Sequence, residues 1–413
     1  MKYQCTLIVL GIFLGSAQAA SPLSGQGLLP TETARPLIEQ DPSVVAAHAS
    51  LEAAQQEAGI LEASPYEWTA KLSGQRRAVD IASSNSREWN AGVERTLRLP
   101  NKASADRSIG EATVMEAQAR YGAARRQAAH ELLTLWLDWL SAVLAQELAS
   151  TNRQSAQENL DAVDKRSRAG DASKLDRNLA QAALSEQKRV ENDAKTNANV
   201  TWGRLNARFP GLGRPTTAFP VPVPIDEDIA SWRDRILTQS NALKLSHAQL
   251  QKAQAQSRRA RAEKMPDPTV GVYTASEAYG HERITGISIS IPIPGGQRSR
   301  RSEQSEFLAK AASQDMELMR RQLDMDIAAA IATAQGAYAG WQIAESGMSA
   351  MQESARLMQR AYTLGEAELQ ALLLVRLQAT AAAQSALAAK AAALKANYQL
   401  LIDANLIWDL DQE

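Results

Sequence analysis

The 413-residue sequence has a single cysteine, Cys5, and four histidines. One thiol excludes a disulfide framework and a cysteine-rich zinc module. His48, His130, His247 and His281 share no close spacing, so no fixed zinc or copper site is expected. Aromatic residues are scarce, at 5%. Compact cores draw much of their buried area from rings, so this scarcity points to long helices packed on alanine and leucine. An excess of one charge is also missing. Lys and Arg total 45 against 46 Asp and Glu, a net −1 that leaves no global field to recruit nucleic acid. There is no phosphate loop, no Ser-His-Asp arrangement and no dinucleotide fingerprint. Neither an enzyme nor a cofactor is expected.

Long hydrophobic runs are lacking as well. Lys2, the apolar stretch 6–14 and Gly15-Ser16-Ala17-Gln18-Ala19 form the pattern of a secretory signal, residues 1–19, cleaved after Ala19. Nine apolar residues cannot cross a hydrocarbon core of about 30 Å. The densest later stretch, 132–148, is interrupted by Thr134, Asp138, Gln146 and Glu147 and reads as a buried helix segment. An exported chain without a hydrophobic span can still enter a membrane as a β-barrel.

All fifteen prolines lie at or before Pro294, which leaves two long gaps, 101–209 and 295–413. Proline costs about 3 kcal/mol inside a helix, so these gaps are where long helices can form. Each is broken near its middle by a glycine turn, at Gly170 and at Gly365, 195 positions apart. Pro100 and Pro294 match at an offset of 194, and 41–51 matches 240–250 at 199. These landmarks define a duplicated unit of about 200 residues. Repeat 1 covers 20–209, a proline-rich linker with a short helix covers 210–238, and repeat 2 covers 239–413. Each repeat is expected to run helix, two strands, very long helix, turn, helix. The first has helix 42–63, strands 65–76 and 88–99, and helices 101–169 and 173–208. The second has helix 241–264, strands 268–275 and 284–293, and helices 297–363 and 368–408. Helix 101–169 would be roughly 100 Å long, with two shorter helices stacked end to end beside it. A rod, coiled coil or helical tube needs such lengths; a globular domain does not.

The strands alternate. Tyr66, Trp68, Ala70 and Leu72 oppose Glu67, Thr69, Lys71 and Ser73. Trp89, Ala91, Val93 and Leu97 oppose Glu88, Asn90, Gly92 and Glu94, with Arg95 the exception on the apolar face. Ile287, Ile289, Ile291 and Ile293 alternate with Ser288, Ser290 and Pro292. This fits an apolar lipid face, a polar lumen and a membrane belt of Tyr66, Trp68, Trp89 and Tyr273. It also fits soluble hairpins on a core. Four strands cannot close a barrel, so a membrane role requires several chains. Two basic runs, Arg258, Arg259, Arg261 and Lys264, then Arg298, Arg300 and Arg301, flank the second hairpin as a collar towards anionic headgroups or as a solvated helix surface. Met348, Met351 and Met358 form a stripe on helix 297–363 that suits soft packing, with a thioether path for Cu(I) as the other reading.

The strand-to-helix junctions Gly92–Pro100 and Ile287–Gly296, and the turns Ala169–Asp176 and Tyr362–Leu369, resemble those of the TolC-type outer-membrane factor family. The likeness covers nearly the whole mature chain, and its short length is most similar to the CzcC-like, heavy-metal-associated branch. The resemblance implies a mostly α fold with a small β part. In it, a homotrimer forms a twelve-stranded outer-membrane barrel continuous with a periplasmic helical barrel. Its implied partners are outer-membrane lipid, a periplasmic adaptor and an inner-membrane RND or ABC transporter, and its role is the exit duct of a tripartite efflux or type I secretion system. In the family the helical tips carry the gate and dock the adaptor. That implies gate candidates Asp171, Asp176, Glu366 and Glu368, and docking candidates Gly170, Leu175, Gly365 and Leu369. Ala371 and Leu374 stand where a second acidic ring would need carboxylates. The rival reading is a secreted or periplasmic coiled-coil protein with a structural role.

Overall fold

Proline and glycine set the element boundaries. The computed structural model describes residues 28–79, 84–214, 219–225 and 228–410. The expected signal segment and Cys5 lie outside the described residues. Helices α1 (Thr31–Glu39) and α2 (Pro42–Glu62) lead to strands β1 (Thr69–Val79) and β2 (Ser84–Thr96), then α3 (Pro100–Ala169) and α4 (Lys174–Arg208). After α5 (Ile229–Gln239) the order recurs as α6 (Asn241–Ala262), β3 (Thr269–Glu277), β4 (Glu282–Ser290), α7 (Gly296–Leu364) and α8 (Leu369–Asp403). Pro42 and Pro100 occupy the first helical position, where a missing N–H costs nothing.

With 70 and 69 residues, α3 and α7 are each about 104 Å long. Helices α2 and α4 both pack along α3, and α6 and α8 both pack along α7. The four strands form one antiparallel sheet in the order β1-β2-β3-β4, so the two hairpins meet at β2 and β3. Strands β1 and β4 are left as its edges.

The strands sit a few residues further towards the hairpin tips than alternation predicts. At the base, Pro292 and Pro294 carry no N–H, so the Ile291 and Ile293 alternation continues past the ladder, which ends at Ser290. At the tips, the ladder extends through Arg77–Val79 and Ser84–Arg87, where Ala78 and Val79 fall on opposite faces among polar residues and give no period-two signal. Helix α8 stops at Asp403 rather than 408. Asn405 takes a left-handed φ of 55°, and the Leu406 N–H returns to the Leu401 carbonyl at 2.8 Å. Helix α1 has no counterpart in the sequence reading because Pro36 lies inside it. Burial of Ala34 and Ile38 outweighs the lost hydrogen bond.

Buried apolar residues form two separate clusters rather than one core. The larger joins Leu132, Leu133, Trp136 and Leu137 of α3 to Ile331, Leu401 and the C-terminal coil. It absorbs the apolar stretch beginning at Leu132. The smaller lies about 44 Å further along α3, at the turns. Over its whole length α7 buries only Ser302, Ile327, Ile331, Ala334 and Tyr362, and leaves Phe307, Leu318 and Ile343 exposed. The chain exposes 25818 Å², against about 15,600 Å² for a compact monomer of 44.7 kDa. So much open apolar helix calls for further copies of the chain.

Candidate functional site

Both turns end their long helix in the same way. Gly170 has φ 87° and Gly365 φ 77°, left-handed values that only glycine, without a β-carbon, adopts at little cost. In each, the glycine N–H bonds three residues back and the following N–H five back: Gly170 to Ser167 and Asp171 to Arg166, Gly365 to Tyr362 and Glu366 to Ala361. After the first turn a capping box starts α4. The Ser173 N–H and hydroxyl donate to the Asp176 carboxylate at 3.0 and 2.8 Å, and the Asp176 N–H donates to Ser173 Oγ at 3.0 Å. The second turn has no such box, since Glu368 caps α8 without a side-chain bond.

The two turns lie together. Leu160, Val163, Leu184, Tyr362, Leu369 and Leu372 form one buried cluster drawn from α3, α4, α7 and α8. The Arg166 guanidinium lies over the Tyr362 ring, 5.2 Å from its centroid. Asp171, Asp176, Glu366 and Glu368 are thereby brought to one end of the molecule. Asp171, Glu366 and Glu368 are exposed, whereas Asp176 is half-buried and held by Ser173. The docking candidates separate. Leu175 is 66% exposed, but Leu369 is 3% exposed and belongs to the tip core, so it presents nothing outward. Leu364, 65% exposed beside Gly365, is the outward apolar residue of the second turn.

Sequence reading also passed over Arg376. Its guanidinium donates to the Ser155 carbonyl at 3.3 Å and to Gln359 Oε1 at 2.6 Å, tying α8 to α3 and α7 beside a cleft of about 430 Å³. Burial draws its pKa down, against the opposing pull of Glu158. The available signal was its isolation, for it is the only charged residue between Leu369 and Ala389. Met358, from the methionine stripe, packs on the same cluster.

At the opposite end the register assigns the two faces of the sheet. Trp89, Ala91 and Val93 share a face with Leu72, Val272, Ile287 and Ile289, and the isoleucines are more than two-thirds exposed. Trp68 immediately precedes β1 on this side, and the Arg95 guanidinium, the expected exception, lies over its ring at 5.5 Å. Tyr273 is on the other face. It pairs with Gly92 and Gly286, and a β-carbon at Gly286 would come within 2.6 Å of its ring. Tyr273 therefore covers two cross-strand glycines on the lumen side and is no part of a lipid-facing belt. Tyr66 lies before β1, and its hydroxyl donates to Asp267 at 2.7 Å.

That bond belongs to a charged network joining strands to helices. Lys102 is 1% exposed, with its ammonium 3.0 Å from Asp267 and 3.7 Å from Glu263. Asp267 also accepts from the Leu99 N–H at 3.0 Å. Asp106 accepts from Arg98 and Arg259 at 3.1 and 2.6 Å, and Arg98 further caps the carbonyls of Leu61 and Glu62. Burial alone would raise the Asp267 carboxyl. Donation from Tyr66, Leu99 and Lys102 outweighs it and holds the group below the usual carboxylate range. Burial, then the Asp267 carboxylate, pushes the Tyr66 hydroxyl up to about 12. Of the basic collar, Arg259 and Arg298 are drawn into this network through Glu263, while Arg258, Lys264, Arg300 and Arg301 stay outside it.

The chain matches the family model described as outer membrane efflux protein over residues 34–208 and 232–405. No curated protein sequence matches it. Among solved structures, the Campylobacter jejuni CmeC outer membrane channel aligns with a TM-score of 0.74 at 14% identity, covering 92% of this chain and 87% of that one. CusC, solved for the conformational changes of folding and transmembrane channel formation, aligns at 0.73 and 16% identity, covering 94% and 95%. The open-state Neisseria gonorrhoeae MtrE outer membrane channel aligns at 0.66 and 18% identity, covering 92% and 90%.

Proposed function

The chain belongs to the outer membrane efflux protein family, whose members are passive channels rather than enzymes, and on that premise we propose that it is the exit duct of a tripartite system. Three copies join β4 of one to β1 of the next in a twelve-stranded barrel, and their helices enclose a periplasmic tube. The observation that carries this reading is the open four-stranded sheet with an apolar outward face, set on helices about 104 Å long. An open edge cannot sit in lipid. A periplasmic adaptor docks at the tips, where Leu175 and Leu364 are exposed, and an inner-membrane transporter supplies the energy. The family match sets aside the coiled-coil reading.

Membrane fractionation with unheated gel mobility tests the assembly. An outer-membrane trimer is expected; a soluble, monomeric product would sink the reading. Closure is assigned to the tips, with Asp176 acting both as a charge near the axis and as half of the capping box. Asp176→Asn keeps an acceptor for Ser173 and removes the charge. Ser173→Ala keeps the charge and removes the cap, which is worth about 1 kcal/mol. Single-channel conductance in a planar bilayer is expected to rise for Asp176→Asn and to change little for Ser173→Ala. If Ser173→Ala opens the channel equally, the cap and not the carboxylate holds it shut.

A further inference from the structure

The strands sort their charges by face. All four carboxylates within them, Glu88, Glu94, Glu277 and Glu282, lie on the lumen side, where Lys71 meets Glu94 at 2.6 Å and Arg77 meets Glu88 at 3.1 Å and Glu277 at 3.4 Å. The outward face carries no carboxylate among the described residues. It does carry arginines. Arg76 stands directly opposite Arg87 in the β1–β2 register, and Arg283 faces Ser276, itself opposite Trp89. All three are exposed. Like charges directly across a strand pair are destabilising. Arg77, one residue on and facing inward, has its acids; Arg76 has a second arginine.

Height gives the pair its meaning. At about 3.4 Å per residue the ten residues from Leu97 to Arg87 cover about 34 Å of strand, which a tilt of about 40° reduces to about 26 Å. The apolar band of an outer-membrane barrel is about 25 Å tall. Leu97 lies at the helix-side edge, so Arg76 and Arg87 reach the headgroup level of the opposite, outer leaflet, just beyond Trp89. Long arginine side chains snorkel readily to that level. Guanidinium groups pair with phosphate through two parallel hydrogen bonds, which suits a phosphorylated headgroup better than water.

Building on the outer-membrane trimer proposed above, we propose that Arg76, Arg87 and Arg283 form a lipid-facing phosphate girdle. It would bind the phosphorylated glycolipid, of lipid A type, in the outer leaflet. Three copies place nine arginines around the barrel. The bound phosphates relieve the Arg76–Arg87 repulsion, so the lipid stabilises the assembled barrel rather than merely surrounding it.

The full-length chain is tested in phosphatidylethanolamine vesicles containing bis-phosphorylated lipid A, dephosphorylated lipid A or phosphatidylglycerol. The readout is the temperature at which the unheated trimer dissociates. Phosphorylated lipid A is expected to raise it by several degrees over the other two. R76Q/R87Q/R283Q is expected to lose most of that rise and to bind lipid A at least about tenfold more weakly. Equal temperatures with phosphorylated and dephosphorylated lipid A overturn the girdle, and this comparison needs no variant. An equal rise with phosphatidylglycerol overturns the glycolipid assignment. Absence of any trimer in all three vesicles would instead overturn the channel reading beneath it.

Discussion

Asp267→Asn is expected to cost about 3–5 kcal/mol and to deplete the assembled trimer on an unheated gel. The ammonium of Lys102, 1% exposed, would keep a single carboxylate partner, Glu263 at 3.7 Å. An uncompensated buried cation is far worse than an absent pair. Lys102→Met in the same chain is therefore expected to recover part of the loss, because the asparagine amide oxygen can still accept from the Leu99 N–H that Asp267 binds at 3.0 Å. A double variant no better than the single would show that Lys102 is not the source of the cost. Titration supplies a second check. The Asp267 carboxyl is held below its ordinary value of 3.8, so the unfolded chain binds the proton more readily. The stabilisation is fully present above that value and disappears as pH falls through the lower native one. Thermal unfolding followed from pH 5 downward should show this loss in the parent and a flatter dependence in Asp267→Asn.

The junction explains why part of this molecule is legible in its sequence and part is not. Proline excludes itself from helix interiors so strongly that the gaps after Pro100 and Pro294 outline α3 and α7 almost to the residue. Gly170 and Gly365 mark their ends because a left-handed residue must sit there. Such signals are local and absolute. Alternation is local but speaks only of faces. It shows that β2 has an apolar side, and cannot say where the ladder stops or which side an isolated Tyr273 takes. Once Tyr273 is aligned with Gly92 and Gly286, its place on the lumen face follows. Lys102 and Asp267 are 165 positions apart, each in a polar setting that looks solvated. Nothing short of the fold brings them together. The tip divides along the same line. Its acidic residues are visible as letters near a glycine, but the burial of Leu369 and the exposure of Leu364 depend on how two hairpins face each other.

That mutual packing underlies the remaining prediction. Leu372 is fully buried among Leu160, Val163, Leu184 and Tyr362, and truncation to alanine loosens a cluster to which all four helices contribute. The expected cost is about 2–5 kcal/mol. It should be felt locally, because the tip cluster lies about 44 Å along α3 from the larger core and shares no residue with it. Leu372→Ala is therefore expected to reach the outer membrane as a trimer with an unheated mobility like the parent's, while its tips separate far more often. Two measurements follow that separation. Single-channel closed-state current should rise, and trypsin should cut sooner at Arg166, Arg168 and Lys174 around the first turn. Leu175→Ala is the counterpart. With Leu175 two-thirds exposed, the fold should lose under about 0.5 kcal/mol, and closed-state current should stay put while adaptor binding weakens. Should Leu372→Ala become protease-sensitive at the tip yet remain electrically closed, the seal would have to lie elsewhere along the tube, and the acidic turn residues would lose their claim to it.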